Sequence, residues 1–230
     1  MDFILEGETD YEIYFSHQCD ARTFNRGATR NIGFIAIKNK YPNHYKDITF
    51  VFNDVDTMPY TKNFIRYETI PSVIKHFYGY TFTLGGIVSI TGEDFEKING
   101  YPNFWAWGYE DNAMNQRVMN TVGLTIDRSH FYPIMDKNIL QLKDEITRVV
   151  NRGEYERYVL DNVLHKTYHD GISSVHDVLC NYDEKTNFLN IHDFKTATEP
   201  NPSLNKIHDM RSGPIPFRVG ARSEEHTSEL

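Results

Sequence analysis

Cysteine is scarce: Cys19 and Cys180 are the two in 230 residues. Such a pair, without motif spacing, carries neither metal nor redox chemistry, and it could bridge only if the fold brings both thiols together. Long apolar runs are missing too. No stretch approaches the ~20 residues a membrane-crossing helix needs, and the N-terminus has no signal-peptide apolar core, so the chain as given is expected to be soluble. A basic surplus is also absent: 24 Lys and Arg stand against 32 Asp and Glu, the net charge is -8, and no Lys/Arg run stands out. That composition argues against nucleic acid as a partner. No internal repeat is visible, which excludes repeat architectures.

What is present is a hydrophobic content of 40% and an aromatic content of 14%, enough for one domain with a core, or one domain and an appendage. Tyr11, Ile13 and Phe15 alternate along one face, which predicts a strand over Tyr11 to Phe15. Gly27 to Ile37 is read as a helix, because the strong strand that follows needs a crossover before it. That strand, Asp47 to Asp56, is a short apolar run ending in carboxylates, and it is expected to be buried. Tyr80 to Ile90 reads as a strand interrupted by Gly85-Gly86, where a backbone or ligand can approach closely. Thr91-Gly-Glu-Asp94 resembles a capping box and opens a short helix through Ile98. Met114, Val118 and Val122 recur every four residues and predict a helix opened by Glu110 and Asp111. Gly123 to Ile126 is a further candidate strand, and Asn138 to Val150 is apolar but of undetermined type. Gly171 to Val175 and Phe188 to Ile191 read as late elements at the domain edge. From about Lys195 four prolines interrupt the chain, and little packed structure is expected. Residues 222–230 read like the translation of a common sequencing-adapter oligonucleotide, as a fusion scar would.

The densest chemistry is Phe104 to Arg117, where Trp105 and Trp107 precede the adjacent carboxylates Glu110 and Asp111. Acids at a helix start sit well with the helix dipole. Taken alone, they read more readily as ordinary first-turn residues, and the two indoles more readily as packing than as a sugar platform. Asp54 and Asp56 lie at the carboxyl end of their strand, where open α/β sheets bind ligands, with Val55 expected to point into the core. An exposed turn before Pro59 is the competing reading. Carboxylate oxygens are hard donors suited to Mg²⁺ or Mn²⁺, ions that usually take one or two carboxylates plus substrate phosphates.

Phe24-Asn-Arg26, Phe52-Asn-Asp-Val-Asp56, Gly85-Gly-Ile-Val-Ser89, Ile98-Asn-Gly-Tyr-Pro102 and Trp105-Ala-Trp-Gly-Tyr-Glu-Asp111 occur in one order, followed by Asp170-Gly-Ile-Ser-Ser-Val175. In that order and spacing the chain resembles the beta-1,4-galactosyltransferase family over roughly Tyr11 to Ile191. The resemblance implies an α/β GT-A glycosyltransferase fold, a Rossmann-like mixed sheet flanked by helices. It further implies a UDP-sugar donor, Mn²⁺ or another divalent cation, a carbohydrate or glycoconjugate acceptor, and inversion at the anomeric carbon. Phe24, Asn25, Arg26, Asp54, Val55, Asp56, Thr83, Gly86 and Trp107 would contact the donor. Trp107, Gly108, Tyr109, Glu110, Asp111 and Asn112 would line the acceptor site, with Asp111 as the base and Glu110 beside it. Asp56 would hold the metal.

Several positions depart from that pattern. The family's Pro-Phe-Arg segment has no counterpart after Met1, so residues 1–194 are expected to form a glycosyltransferase domain lacking its first strand, followed by a poorly ordered tail over 195–221. Family members are usually lumenal through an N-terminal anchor: a Golgi location is expected if such a segment exists, a cytoplasmic one otherwise. The family's metal-binding His would fall near Ile139 to Leu142, where there is none, and His130 is the nearest substitute. Tyr109 stands for a Gly and Asn112 for an Asp, so acceptor identity does not transfer. Thr83 stands where galactose-transferring members have Tyr, which leaves room for N-acetylgalactosamine beside galactose. A non-catalytic carbohydrate-binding module and a glycoside hydrolase are the competing classes. Neighbouring acids do not by themselves make the hydrolase pair, whose carboxylates flank the bond from opposite sides.

Overall fold

In the computed structural model, residues 3–142 and 146–213 are described. In chain order the first elements are β1 (Phe15–Gln18), α1 (Arg26–Lys40), β2 (Thr49–Asn53), β3 (Thr57–Pro59), β4 (Val73–Gly79), β5 (Ile87–Thr91), α2 (Gly92–Lys97) and α3 (Glu110–Asn120). There follow β6 (Thr125–Asp127), β7 (Tyr132–Pro133), β8 (Ile139–Gln141), β9 (Thr147–Asn151), α4 (Arg152–Tyr158), β10 (His176–Asp183), β11 (Phe188–Lys195) and β12 (Asn205–Asp209). No helix among the described residues is long and apolar enough to cross a membrane.

The main sheet is mixed, in the order β2-β5-β4-β6, with β7 alongside β4. β2 and β4 run antiparallel to β5, whereas β6 and β7 run parallel to β4. A second sheet, β1-β11-β10, and two ladders, β12-β9 and β3-β8, complete the strand pairing among the described residues. α1 lies between the two larger sheets because its apolar residues face two ways. Phe34, Ile35 and Ile37 join the core formed by Phe50, Val88, Ile90, Phe95, Met114 and Val118. Ala28, Ile32 and Ala36 meet Trp105, Leu189, Ile191 and Phe194 of the second core. A third cluster joins Phe77 of β4 and Ile87 of β5 to Ile65 and to Ile139 of β8.

Several expectations are corrected. The strand predicted over Tyr11 to Phe15 starts only at Phe15, where pairing to Phe188 of β11 begins. β2 stands at the end of its sheet rather than inside it, and Val51 on it is exposed. Tyr80 to Thr83 is a turn, and the strand is β5 alone. The neighbouring β4 had no clean signal, since Lys75 and His76 interrupt its apolar run. α3 ends at Asn120, so Val122 lies outside the stripe that buries Met114 and Val118 and is 91% exposed. β11 is the middle strand of its sheet. Between Thr196 and Asp209 the chain is packed: β12 pairs with β9, and the Trp105 indole donates to the Thr196 hydroxyl and the Thr198 carbonyl. Residues 222–230 lie outside the described residues. The helices over Gly27 to Ile37 and Thr91 to Ile98 form as expected, with the Thr91 hydroxyl accepting the Asp94 amide.

The segment carrying the Trp pair is fixed by a buried polar network. Asn103 is fully buried and donates through its amide to Asp170 (2.8 Å), the Gly171 carbonyl (2.9 Å) and Ser174 (3.0 Å). Its side-chain oxygen accepts from Asn31 on α1 (2.9 Å). Arg117, equally buried, donates from α3 to the Gly100 carbonyl (2.8 Å) and the Asp170 carbonyl (2.7 Å). Buried polar groups are costly unless satisfied, and here the side chains of Asn31, Asn103 and Arg117 all find partners while tying α1, α3 and the 99–104 and 170–174 segments together. Trp105 then packs beside it, 1% exposed, stacked on Phe194 at 5.3 Å under the Arg22 guanidinium. Its indole N–H donates to the Thr198 carbonyl at 2.7 Å. Trp105→Ala is expected to destabilise the fold by about 3–5 kcal/mol in urea unfolding; a loss under about 1 kcal/mol would show that this stack is not an anchor.

Candidate functional site

An open cleft of about 2450 Å³ runs between α1, the end of β2, the turn before β5 and the start of α3. Helix α1 begins where Asn25 caps it, its side chain accepting the Ala28 amide at 2.9 Å. Asn25 is fully buried, receives no place in the cleft lining and also donates to the Asn103 carbonyl. Its side chain thus caps α1, and a donor contact by Asn25 stays a proposal. Phe24 and Arg26, on either side of it, do line the cleft, with the guanidinium 5.6 Å from the Phe24 ring centre.

β2 stops at Asn53, and the chain turns at once, the Asp54 carbonyl accepting the Thr57 amide at 3.0 Å. Val55 consequently faces solvent, 85% exposed, instead of the core. Asp54, Val55 and Asp56 all line the cleft. The Asp54 amide donates to the Gly86 carbonyl at 2.9 Å, which locks this turn to the start of β5. Gly86 adopts φ +78, and a Cβ there would collide with the Tyr78 carbonyl. Gly85 carries no side chain where the Asp111 carboxylate abuts it. The close approach read from the Gly pair is thus met by Asp111. Thr83 lines the cleft from the preceding turn, its hydroxyl turned to the Tyr80 carbonyl at 3.3 Å. Tyr80 and Phe82 stack on each other at 5.3 Å and are exposed.

The two indoles separate in role. Trp105 is core, whereas Trp107 is half-buried and lines the cleft with Gly108, Tyr109, Glu110, Asp111 and Asn112. Tyr109 holds a left-handed backbone, φ +74, at the start of α3. For a bulky residue that conformation costs about 1–2 kcal/mol. Stacking on Tyr155 (4.8 Å) and Tyr158 (5.0 Å), which also line the cleft, offsets part of it. Glu110 is buried, 3.5 Å from the Arg26 guanidinium through one oxygen, while its Oε2 has no partner. A buried carboxylate oxygen without a donor is a place for a ligand hydroxyl.

Arg30, absent from the sequence-based site, donates to Asp111 Oδ1 at 2.7 Å and to Asp54 Oδ1 at 2.6 Å. Its signal was available: Arg30 lies one helical turn from Arg26, on the same face of α1. Burial raises the Asp111 carboxyl to about 7, against the opposing pull of Arg30. Beneath the 80–86 turn, buried His76 meets the Tyr78 and Gly85 carbonyls, each at 3.0 Å, and accepts from Arg128. Burial, reinforced by Arg128, lowers its pKa to about 4, so the ring is neutral and acts as a prop for the turn.

His130, the metal candidate read from the sequence, lies apart from Asp56. It follows β6 and lines a small separate cavity with Lys75, Asp127 and Tyr132, whereas Asp56 faces the large cleft. Among the described residues no cluster of three or more His, Cys, Asp or Glu side chains forms a closed cation site. The Asp56 donor fits a hard cation that keeps few protein ligands and takes the rest from a substrate diphosphate.

Comparison with known proteins supplies the context. The family profile described as the N-terminal domain of galactosyltransferase matches residues 69–140. Human beta-1,4-galactosyltransferase 4 is 32% identical over 126 residues, covering 50% of this chain and 35% of that protein. Human beta-1,4-galactosyltransferase 5 is 33% identical over 130 residues, covering 51% and 31%. The chain thus spans about a third of the length of these relatives. Two crystal structures of Drosophila beta-1,4-galactosyltransferase 7 are similar at 18% identity. One, a mutant in complex with manganese, UDP-Gal and xylobiose, has a TM-score of 0.56 and covers 81% of each chain. The other, a catalytic domain in complex with xylobiose, has a TM-score of 0.57 and covers 81% of this chain and 80% of that one. The fold is accordingly the α/β GT-A type, and about half of the chain is similar in sequence to beta-1,4-galactosyltransferases.

Proposed function

We propose that the chain is a metal-dependent glycosyltransferase that moves a hexose from a UDP-sugar to a carbohydrate hydroxyl with inversion at the anomeric carbon. The observation that carries this reading is the Glu110-Asp111 pair at the N-terminus of α3, facing the cleft across from Asp54 and Asp56. Its relatives by sequence are galactosyltransferases, and the similar Drosophila structure binds manganese, UDP-Gal and a xylose disaccharide.

A sugar hydroxyl is a weak nucleophile and needs a base as attack proceeds. Asp111, with its carboxyl raised to about 7, has a proton affinity suited to that task near neutral pH. In the proposed step the acceptor oxygen bonds to the anomeric carbon and its proton passes to Asp111. The bond from that carbon to the diphosphate oxygen breaks, and UDP leaves with the electron pair. Glu110 Oε2 accepts a second acceptor hydroxyl, and Trp107 and Tyr109 offer apolar faces to the sugar rings. Phe24 and Arg26 provide an aromatic face and a cation for the nucleotide. Asp56 would hold the divalent ion, which when bound neutralises charge on the diphosphate. Thr83 lines the cleft with a small side chain, its hydroxyl donating to the Tyr80 carbonyl, which supports a donor site open to a 2-acetamido group as well as a hydroxyl.

UDP release from UDP-galactose with Mn²⁺, with and without saccharide acceptors, tests the reading; saccharide binding without UDP release would favour a non-catalytic module. Asp111→Asn is expected to cut turnover by roughly 10²-fold or more with UDP affinity retained, and undiminished turnover would remove Asp111 as base. Calorimetry of Asp56→Asn should show Mn²⁺-dependent UDP binding severely weakened; equal affinity with wild type would take Asp56 out of the metal site. Thr83→Tyr is expected to favour UDP-galactose over UDP-N-acetylgalactosamine by roughly 10-fold or more in kcat/KM, the scale set by filling a small pocket. An unchanged donor ratio would show that Thr83 does not gate the sugar.

A further inference from the structure

The cleft floor gathers three carboxylates from two elements: Asp54 after β2, and Glu110 and Asp111 opening α3. α1 sets two guanidinium groups against them, one helical turn apart. Arg26 serves Glu110 at 3.5 Å, and Arg30 serves Asp54 and Asp111 at 2.6 and 2.7 Å. Arg30 is nearly buried, its side chain 12% exposed, and its guanidinium lies 4.6 Å from the centre of the Tyr101 ring. A planar fork with five donors can hold two carboxylates at once, which an ammonium on a flexible stem does poorly.

We propose that Arg30 is a positioning residue for the transfer: it fastens Asp111 to the donor-side Asp54, occupies Asp111 Oδ1, and keeps that carboxylate ionised so that it can take the acceptor's proton. The proposal rests on the transferase reading above and adds a residue to it. Its logic is charge balance. The titratable and charged groups around Asp111 are Arg26 and Arg30 from α1, Asp54 from the turn after β2, Glu110 from its own helix and Tyr101 from the segment after α2. Burial and the two neighbouring carboxylates favour the protonated form of Asp111, and Arg30 opposes them. Without Arg30 three acids would share Arg26 alone. Gly85 meets Asp111 from the remaining side with no side chain, so no other group there replaces the cation.

Removing an opposite charge at this range moves a carboxyl by about one to three pH units. In Arg30→Gln the Asp111 midpoint should therefore rise by at least about one unit. The midpoint is read by carbon-13 carboxylate NMR of aspartate-labelled full-length chain, with Asp111→Asn identifying the signal. The acid limb of kcat/KM for UDP release should rise by the same amount, so that activity recovers on raising the pH. A merely structural role would lower activity at every pH without moving the limb. Arg30→Lys keeps the charge but holds one carboxylate at a time: the midpoint should rise by less than in Arg30→Gln, and turnover should fall. Should Arg30→Gln fail to fold, Arg30→Lys still decides, since wild-type midpoint and turnover in that variant would overturn the proposal. An Asp111 midpoint within about 0.3 units of wild type in Arg30→Gln would overturn it as well. A shifted midpoint with an unmoved acid limb would overturn the role in transfer, because Asp111 would then not be the base. If the wild-type chain releases no UDP, the transferase reading falls and the positioning role in transfer falls with it, while an unmoved acid limb in an active enzyme sinks the Arg30 role alone.

Discussion

The saturated amide of Asn103 is the contact on which the rest of the cleft depends. It sits fully buried where α1, the 99–104 segment and the 170–174 segment meet, and each of its polar atoms has a partner. Fixing Asn103 fixes the segment that leads through Trp105 to Trp107, and hence where α3 begins. Arg117 secures the same helix from within by donating to the Gly100 and Asp170 carbonyls. Such a network is worth having only when complete, because a half-satisfied buried polar group costs more than an apolar one. The network thus gives Ile98-Asn-Gly-Tyr-Pro102 and Asp170-Gly-Ile-Ser-Ser-Val175 a structural role, and Tyr101 of the first segment also lies under the Arg30 guanidinium at 4.6 Å.

On that frame the cleft is an electrostatic arrangement more than a shape. Asp54, Glu110 and Asp111 would repel one another in a half-buried place, and two arginines from a single helix face relieve the repulsion. The dipole of α3 favours the same two acids at its N-terminus. The result is a carboxyl at Asp111 held near neutrality, with Glu110 Oε2 left for a ligand. Nearby, the neutral His76 prop and the positive φ of Gly86 fix the turn that brings Thr83 and Gly85 to the cleft.

Much of the site was legible because carboxylates, glycines and indoles are conspicuous at short range. Glu110 and Asp111 announced a helix start, and Gly85-Gly86 announced a close approach. Other parts were illegible for definite reasons. Val55 was assigned inward by strand alternation, but the strand ends at Asn53, and alternation has no meaning past the last paired residue. β4 was hidden because a strand buried on both faces need not alternate, and His76 and Lys75 broke its apolar run. The segment beyond Lys195 looked unpacked by composition, yet β12 gains its order from β9, a partner more than fifty residues away.

By itself the sequence determined the local events: where α1, α2 and α3 begin, which turns need glycine, and which short motifs resemble those of sugar-nucleotide transferases. These follow from backbone sterics and capping, which act over a few residues. Tertiary structure alone decided which of the two tryptophans is core, that Asn25 caps α1, and that His130 and Asp56 face different cavities. It alone also brought Arg30 between Asp54 and Asp111, 24 and 81 residues along the chain. The physical reason is that a charge acts on what lies within a few ångströms of it, whatever the sequence separation, so its partners exist only once the chain has folded.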